Sequence, residues 1–257
     1  MNSFRFKQFE VVQNFSAMRV NTDAVLLGAW MSIPQADAGV APRMLDIGTG
    51  TGVIALMAGQ RAAQAGTEAI IEAVEIDAGA CMDAGENFNA APWKGVGFVL
   101  HQKSLQELSN SLPDKFDLVF TNPPYFIDSL KSSEDAKVLA RHTDTLSQRE
   151  ILFHCTRLVK HGGKLAVVLP VIEGEEFLRK VEFLMANTPD GESFFVPTRI
   201  CKVHTVERKP AKRLLMEFEL CCNDSEKRKP QIEQLVMMSG DSKTAQYADL
   251  VGEFYLY

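Results

Sequence analysis

Apolar residues form two kinds of run along the middle of the chain. Short runs rich in β-branched residues predict buried strands, and the longer segments between them carry apolar residues at helical spacing. The predicted strands cover residues 43–46, 69–74, 96–101, 116–121 and 164–170. Because strands and helices alternate, we predict an α/β fold with a doubly wound, mostly parallel sheet.

The two ends of the chain have a different pattern. Residues up to about 31 predict a strand and a helix, and residues 33–42, rich in alanine and proline, predict a connector. In the C-terminal third, three runs predict strands on an antiparallel edge of the same sheet, at 194–196, 201–208 and 214–220. We therefore expect a single domain over residues 1–257. Its parts are an extension with a connector (1–42), a core (43–170) and a C-terminal part (171–257).

One helix boundary is marked by a capping box. Ser147 and Glu150 are spaced so that each side chain can satisfy the other's backbone N–H at the start of a helix. Because glycine commonly ends helices, we expect this helix to run to His161, before Gly162 and Gly163.

A glycine-rich turn, Asp46-Ile47-Gly48-Thr49-Gly50-Thr51-Gly52, follows the first core strand. Its spacing misses the G-x-G-x-x-G pattern of dinucleotide sites by one position, and no Gly-Lys-Ser/Thr follows it as in a phosphate-binding loop. The Asp46 carboxylate would repel pyrophosphate but suits a cationic amine. These features favour S-adenosylmethionine, with Gly48, Gly50 and Gly52 around it and Asp46 at its ammonium group. The alternative is that Asp46 only caps the turn.

The second core strand ends in Glu75-Ile76-Asp77. Ligands of open α/β sheets bind beyond the carboxyl ends of the strands, so Glu75 is placed to accept hydrogen bonds from both hydroxyls of a ribose. Ile76 is placed to lie against the adenine face of the same ligand. The alternative is that Glu75 is a solvated strand end.

The fourth core strand leads into Asn122-Pro123-Pro124-Tyr125. An exocyclic or carboxamide amine has its lone pair drawn into a conjugated system, so hydrogen-bond acceptors rather than a base must activate it. The Asn122 side-chain oxygen and the Pro123 carbonyl can accept from such an amine, while Pro124 stiffens the loop and Tyr125 offers a face for stacking. The tetrapeptide therefore predicts methyl transfer to a planar amine, against the alternative of a rigid turn with a core tyrosine. Residues 128–137, polar and without periodic apolar positions, predict a mobile loop beside it.

These motifs resemble the class I, Rossmann-like S-adenosylmethionine-dependent methyltransferases, in which an Asn/Asp-Pro-Pro-Tyr loop is typical of members that methylate nitrogen. The resemblance implies a seven-stranded sheet with an antiparallel C-terminal edge and an N-terminal strand-helix extension. Four further segments are similar to the bacterial tRNA1(Val) adenine-N6-methyltransferase family, at 4–9, 17–30, 140–144 and 247–257. That likeness implies methyl transfer to N6 of the adenine immediately 3′ of the anticodon in a valine tRNA.

The family pattern also suggests further cofactor contacts. Besides giving Asn122 a place at the cofactor, it places Thr22 and Asp23 at the carboxylate and amine end, although plain helix capping explains these two equally well. Relatives often carry an acid after the third core strand, where it binds the adenine amine of the cofactor. Here Ser104 and Leu105 occupy that region, and the Ser104 hydroxyl is a weaker acceptor, which implies lower affinity for the cofactor.

Composition restricts the setting in which the protein works. The apolar and charged fractions, 46% and 23%, are those of a soluble globular protein, and no signal peptide or membrane-length apolar run is present. The five cysteines have no metal-ligand spacing and are odd in number, which favours reduced thiols in a cytoplasm. We expect a cytoplasmic protein, favour a monomer, and expect no metal and no membrane partner.

The net charge of −6 does not favour RNA binding by itself, because phosphate contacts depend on a local positive surface. One basic strip is a candidate for tRNA binding, and it consists of Arg199, Lys202, Arg208, Lys209, Lys212 and Arg213. The alternative is a solvated strand edge whose lysines discourage aggregation.

Two other functions use part of the same pattern. A glutamine-N5 methyltransferase acting on a release factor also needs an Asn-Pro-Pro-Tyr loop, but it usually carries a helical domain before the glycine turn, and only a few dozen residues precede Asp46 here. A module that binds S-adenosylmethionine or RNA without catalysis would not require Asn122 and Tyr125.

Overall fold

A hairpin and a helix open the chain. In the computed structural model, which describes residues 2–111, 115–124, 146–189, 191–222 and 228–256, β1 (Ser3–Arg5) and β2 (Glu10–Val12) pair in antiparallel fashion. Helix α1 (Thr22–Trp30) follows, and the Asn21 side chain caps it by accepting a hydrogen bond from the Ala24 N–H at 2.9 Å. The extension therefore has one strand more than the sequence pattern predicts.

Strands and helices then alternate as expected. The core contains β3 (Arg43–Ile47), α2 (Val53–Gln64), β4 (Ala69–Glu75), α3 (Ala78–Asn89), β5 (Val96–Gln102), α4 (Leu105–Ser111), β6 (Phe116–Thr121), α5 (Gln148–Leu158) and β7 (Val159–Pro170). The C-terminal part contains α6 (Val171–Asn187), β8 (Phe194–Val206), β9 (Arg213–Cys221), β10 (Gln231–Ser239), β11 (Ser242–Lys243) and α7 (Ala245–Val251).

One large sheet joins the core and the C-terminal part. Within the described residues it has nine strands, in the order β11-β10-β8-β9-β7-β6-β3-β4-β5. The five core strands are parallel, and β9 pairs antiparallel with both β7 and β8, as predicted for the C-terminal edge. The strands from β3 to β9 correspond to the predicted seven, and β10 and β11 extend the sheet beyond them.

Alternating side chains on the central strands fill two hydrophobic layers. Leu118 and Phe120 of β6 pack with residues of α1 and α2 on one face, while Val119 packs with residues of α5 and α6 on the other. Because both faces are covered, these strands read as continuous apolar runs in the sequence.

Two details of the pattern-based prediction are wrong. Helix α5 begins with the predicted capping box but ends at Leu158, so His161 lies in β7, where Gly162 adopts a φ of +76°. The two runs at 194–196 and 201–208 belong mainly to the single strand β8, which continues past an irregularity between Pro197 and Arg199. Proline has no N–H to donate to a ladder, so a register shift accommodates it.

The strand order reverses at β3, which pairs with β4 on one side and β6 on the other. After β5 the chain crosses to the far side of β3 to form β6, so the helices that follow the two neighbours lie on opposite faces. Such a switch point opens a crevice beyond the carboxyl ends of the strands. The two predicted motifs both lie at this crevice.

Candidate active site

The glycine turn and the Asn-Pro-Pro loop begin at adjacent strand ends. Ile47 and Thr121 are partners in the β3–β6 ladder, and the Thr121 hydroxyl donates a hydrogen bond to the Ile47 carbonyl at 2.8 Å. Gly48 and Asn122 are the next residues of the two strands. The pairing therefore holds the two motifs side by side.

A cavity of about 1110 Å³ lies above this pair of strand ends. It is lined by Ser16, Ala17, Met18, Arg19, Asn21, Ala24, Ile47, Gly48, Thr49, Gly50, Thr51, Val53, Ile54, Val74, Glu75, Ile76, Asp77, Ala80, Lys103, Ser104, Leu105, Gln106, Thr121, Asn122, Pro123, Pro124, Leu146 and Glu150. The turn, the loop and the ends of β4 and β5 therefore face one space, which is large enough for a nucleoside-sized cofactor together with a second planar group.

The three glycines of the turn have positive φ angles: +66° at Gly48, +55° at Gly50 and +81° at Gly52. A Cβ at Gly48 or Gly50 would meet no atom within 4 Å, whereas one at Gly52 would lie 2.6 Å from Phe88 Cε1. Gly48 and Gly50 thus keep backbone open to the cavity. Gly52, which is outside the lining, lets the start of α2 pack against α3.

Asp46 lies behind the turn rather than in the cavity lining. Its side chain is fully buried, and its Oδ2 accepts a hydrogen bond from the Thr49 hydroxyl at 2.7 Å. Burial raises the pKa of this carboxyl to about 7, against the effect of the Thr49 hydroxyl and the Ala55 N–H, and the nearby charge of Glu75 adds to the rise. Asp46 is not among the residues that line the cavity, and its contact with a ligand ammonium stays a prediction.

Glu75 bridges the end of β4 and the glycine turn. Its Oε2 accepts from the Gly50 N–H at 3.0 Å, and its Oε1 accepts from the N–H groups of Ile76 and Asp77 at 2.8 and 3.0 Å. A carboxylate has about four acceptor positions, so the Glu75 side chain in the cavity wall retains capacity for a ribose hydroxyl. Ile76, also in the wall, is 56% exposed and presents an apolar surface.

The Ser104 hydroxyl is already engaged in a cap at the start of α4. It donates to Glu107 Oε2 at 2.8 Å and accepts from the Glu107 N–H at 3.2 Å. Ser104 lines the cavity with one acceptor position left, and buried Leu105 lines it beside Ser104.

The segment before α1 and the start of that helix form another wall of the cavity. The residues in this wall differ from the two cofactor contacts that the resemblance implies, Thr22 and Asp23. Asn21 and Ala24 line the cavity, while Thr22 and Asp23 do not. Asp23 instead accepts a hydrogen bond from Arg213 Nε at 2.7 Å, within an ion pair. Of the predicted pair, neither residue therefore reaches the cavity in this structure.

Asp83 of α3 holds this wall in place, a role that sequence reasoning missed. Its buried carboxylate accepts from the backbone N–H groups of Asn14, Phe15 and Ser16 at 3.1, 2.9 and 2.7 Å, and from the Ser16 hydroxyl at 2.7 Å. Burial alone would raise the pKa of Asp83, but these hydrogen bonds outweigh it, and the pKa lies below its ordinary value. Asp83 lies five residues after Ala78, the first residue of α3, and no local sequence pattern links it to a segment about seventy residues earlier.

Asn122, Pro123 and Pro124 line the cavity, where Asn122 is partly buried and Pro123 is buried. Tyr125, the predicted mobile loop at 128–137 and the segment at 140–144 lie outside the described residues. The three described members of the tetrapeptide thus face the same space as Gly48 and Gly50.

A family model described as "Methyltransferase small domain" matches residues 10–181. The chain is 36% identical over 257 residues to the tRNA1(Val) (adenine(37)-N6)-methyltransferase of Trichodesmium erythraeum, covering 99% of this chain and 98% of that protein. It is 40% identical over 215 residues to the enzyme of the same name from Parabacteroides distasonis, covering 84% and 82%. The chain belongs to the tRNA1(Val) (adenine(37)-N6)-methyltransferase family.

Solved structures show the fold of this methyltransferase family member independently. A protein of Listeria monocytogenes assigned to the class I S-adenosylmethionine-dependent methyltransferases superposes with a TM-score of 0.58 at 20% identity, covering 90% of this chain and 67% of that one. A predicted O-methyltransferase of Agrobacterium tumefaciens gives 0.57 at 17% identity, covering 92% and 98%. The fold is therefore the class I methyltransferase fold.

The protein is an S-adenosylmethionine-dependent methyltransferase, and its cavity fits that cofactor. Gly48 and Gly50 add no side chain to the cavity wall, and Glu75 and Ile76 also line the cavity. Among the described residues there is no group of three or more His, Cys, Asp or Glu that could hold a metal. Across the same part of the methyltransferase, no helix has the length and apolar character needed to span a membrane.

The predicted basic strip separates into two groups in this methyltransferase. Arg199 is paired with Glu217 and Glu233 and lies 4.3 Å over the Trp30 ring, and Arg213 is paired with Asp23. The other four residues are exposed, and they are Lys202, Arg208, Lys209 and Lys212.

Proposed function

We propose that this protein transfers a methyl group from S-adenosylmethionine to N6 of the adenine immediately 3′ of the anticodon in a valine tRNA. Family membership supports the reaction and the substrate, since the relatives carry both in their names. The observation that carries the proposal is the pairing of Ile47 with Thr121, which brings the glycine turn and Asn122 to one cavity.

The acceptors of the Asn-Pro-Pro loop activate the amine in this proposal. When bound, S-adenosylmethionine supplies a methyl group on a positively charged sulfur. The Asn122 side-chain oxygen and the Pro123 carbonyl accept hydrogen bonds from the two N–H groups of the adenine amine, which favours a pyramidal nitrogen with its lone pair directed into the cavity. With the cofactor bound, these two oxygens would stabilise the positive charge that nitrogen acquires as it takes the methyl group from sulfur, and the nitrogen would then lose a proton to solvent.

Pro123 and Pro124 hold the acceptors in position. Each proline fixes its own φ and restricts the residue before it, so the loop has little freedom to turn the Asn122 oxygen away. In this proposal Tyr125 supplies the face against which the adenine stacks.

The residues that line the cavity support a proposed set of cofactor contacts. Gly48, Gly50 and the Glu75 carboxylate hold the methionine and ribose parts, Ile76 and Leu105 contact the adenine ring, and Ser104 accepts a hydrogen bond from its amine. Asp46 acts through Thr49 and the turn backbone, because its buried carboxyl accepts the hydrogen bond of the Thr49 hydroxyl beneath the turn. Thr22 and Asp23 act indirectly in this scheme, since their neighbours Asn21 and Ala24 form the cavity wall.

Methyl transfer from labelled cofactor to unmodified valine tRNA tests this function. We expect label in the tRNA, recovered on digestion as N6-methyladenosine, and no label when the adenine 3′ of the anticodon is replaced by guanine. Parallel reactions contain a release factor and buffer alone. Labelled release factor with unlabelled tRNA, or cofactor binding without turnover on any substrate, would contradict the proposal.

A further inference from the structure

Three exposed basic residues stand on the connection between β8 and β9. Arg208, Lys209 and Lys212, called here the basic turn, make no ion pair with another described residue, and only Glu207 opposes them within the turn. Their side chains therefore present a local positive surface on a chain whose net charge is −6.

The basic turn lies at the catalytic edge of the sheet. Strand β9 pairs antiparallel with both β7 and β8, so β7 and β8 run in the same direction. The end of β8 therefore lies at the same edge as the end of β7. Arg213, the residue after the turn, is the ladder partner of Pro170, the last residue of β7.

An ion pair joins the turn to the cavity wall. Arg213 Nε donates to Asp23 Oδ2 at 2.7 Å. Asp23 lies between Asn21 and Ala24, which both line the cavity. Lys212, the last residue of the basic turn, therefore directly precedes a residue that is bonded to the helix at the cavity wall.

Hydrogen bonds fix the backbone of the turn. The Lys209 N–H donates to the Val206 carbonyl at 3.1 Å, and the Lys212 N–H donates to the Val203 carbonyl at 2.8 Å. The Lys209 carbonyl lies 2.9 Å from His204 Nδ1. The positive side chains therefore project from a defined position rather than from an unconstrained loop.

We propose that the basic turn binds the tRNA phosphate backbone beside the methylated nucleotide. The inference rests on the proposed function, because it assigns a surface to that substrate. A nucleotide cannot enter the cavity unless the adjoining phosphates approach its rim, and a protein of net negative charge needs local cations there. Arg199 and Arg213 form ion pairs within the protein, so we leave them out of the tRNA surface. The proposed surface therefore contains fewer residues than the basic strip predicted from the sequence. Exposed Lys202, within β8, lies outside it.

A double charge reversal tests this surface in the full-length protein. The test variant is Lys209→Glu with Lys212→Glu, and the matched control is Lys94→Glu with Lys229→Glu. The control residues are exposed and precede β5 and β10, at the opposite edge of the sheet. Both variants change the net charge equally, so a difference between them reports the position of the charge.

Two readouts are required: tRNA binding by fluorescence anisotropy across a salt series, and methyl-transfer kinetics. We expect the test variant to weaken tRNA binding about ten- to hundredfold and to lower the slope of log affinity against log salt by about 2. Cofactor affinity should stay unchanged. A separate variant that keeps the positive charges, Lys209→Arg with Lys212→Arg, should bind tRNA as wild type does. The loss of affinity should be equal for valine tRNA and for another tRNA, because contacts to phosphate do not depend on the nucleotide sequence.

Three results would overturn the assignment. They are tRNA affinity within twofold of wild type, an equal loss in the control variant, and a loss confined to valine tRNA. If the reversal unfolds the protein, Lys209→Gln with Lys212→Gln takes its place under the same criteria. Failure of the proposed function is recognised separately, as wild-type protein that methylates no tRNA, and the binding series still decides whether the basic turn holds RNA.

Discussion

Asn122 and Asp46 are both at the carboxyl ends of adjacent strands, but their surroundings give them different roles. Asn122 is partly buried in the cavity wall, and we propose that its amide oxygen accepts a hydrogen bond from the substrate amine. Asp46 is fully buried beneath the turn and holds Thr49. The sequence predicts the acceptor role of Asn122 because that role follows from the residue type and its two prolines. It does not reveal the depth of Asp46, which depends on the tertiary packing around the turn.

Replacing Asn122 by alanine removes one acceptor from the amine. We expect turnover to fall by about two to three orders of magnitude, the range for loss of a transition-state hydrogen bond, with little change in cofactor affinity. Single-turnover kinetics and calorimetric cofactor binding measure the two effects. Asn122→Asp is the matched control, since it keeps an acceptor and should retain more activity than the alanine variant. Near-normal rates for Asn122→Ala would exclude the acceptor role.

Asp46 should make the stability of the ligand-free protein depend on pH. Its pKa in the folded state is about 7, against 3.8 for the ordinary carboxyl, so the folded state binds the proton more tightly between those values. The free energy of unfolding therefore falls as pH rises from about 4 to 7, by on the order of 3 to 4 kcal/mol for this group.

Chemical denaturation at pH 5 and pH 7.5 measures this dependence. Asp46→Asn should lose most of the difference between the two pH values, because the amide does not titrate. If the free energy of unfolding of Asp46→Asn still differs between pH 5 and pH 7.5 as much as that of wild type, the pH dependence comes from other groups.

At the scale of elements, the apolar strands were predictable and the contacts between distant elements were not. Strands β3, β4 and β6 are mostly buried, so their sequences are mostly apolar. Strand β10 was missed although it contains the apolar run 235–238, because its first four residues are mostly polar and only Leu235 is buried. The pairing of Asp23 with Arg213 joins residues 190 positions apart, and no local pattern encodes it.

Helix α3 and the cavity wall give a prediction at this scale. Asp83→Ala removes the carboxylate that binds residues 14–16, so we expect the free energy of unfolding to fall by about 1 to 3 kcal/mol and cofactor affinity to fall about tenfold. Because the pKa of Asp83 is depressed, its contribution is present at neutral pH and is lost as pH falls through that pKa.

Thermal unfolding and calorimetric cofactor titration test the Asp83 variant. Glu86→Ala is the control, since Glu86 is exposed on the same helix. If both variants bind the cofactor as wild type does, the wall does not depend on Asp83.

At the scale of the whole molecule, the fold brings cofactor and substrate groups to one edge of the sheet. The reversal of strand order at β3 creates the cavity, and the direction of β8 brings the basic turn to the same edge. The motifs predicted the chemistry of this edge, and the resemblance indicated the family. The rival release-factor and non-catalytic functions gain no support from relatives that align over nearly the whole chain under a tRNA methyltransferase name.

The most direct test of the account is a crystal structure of the protein with S-adenosylhomocysteine and an RNA hairpin of the valine anticodon arm. We predict that the adenine 3′ of the anticodon enters the cavity, with its N6 about 2.7 to 3.2 Å from both Asn122 Oδ1 and the Pro123 carbonyl oxygen. An adenine bound outside the cavity, or with N6 facing neither oxygen, would contradict it.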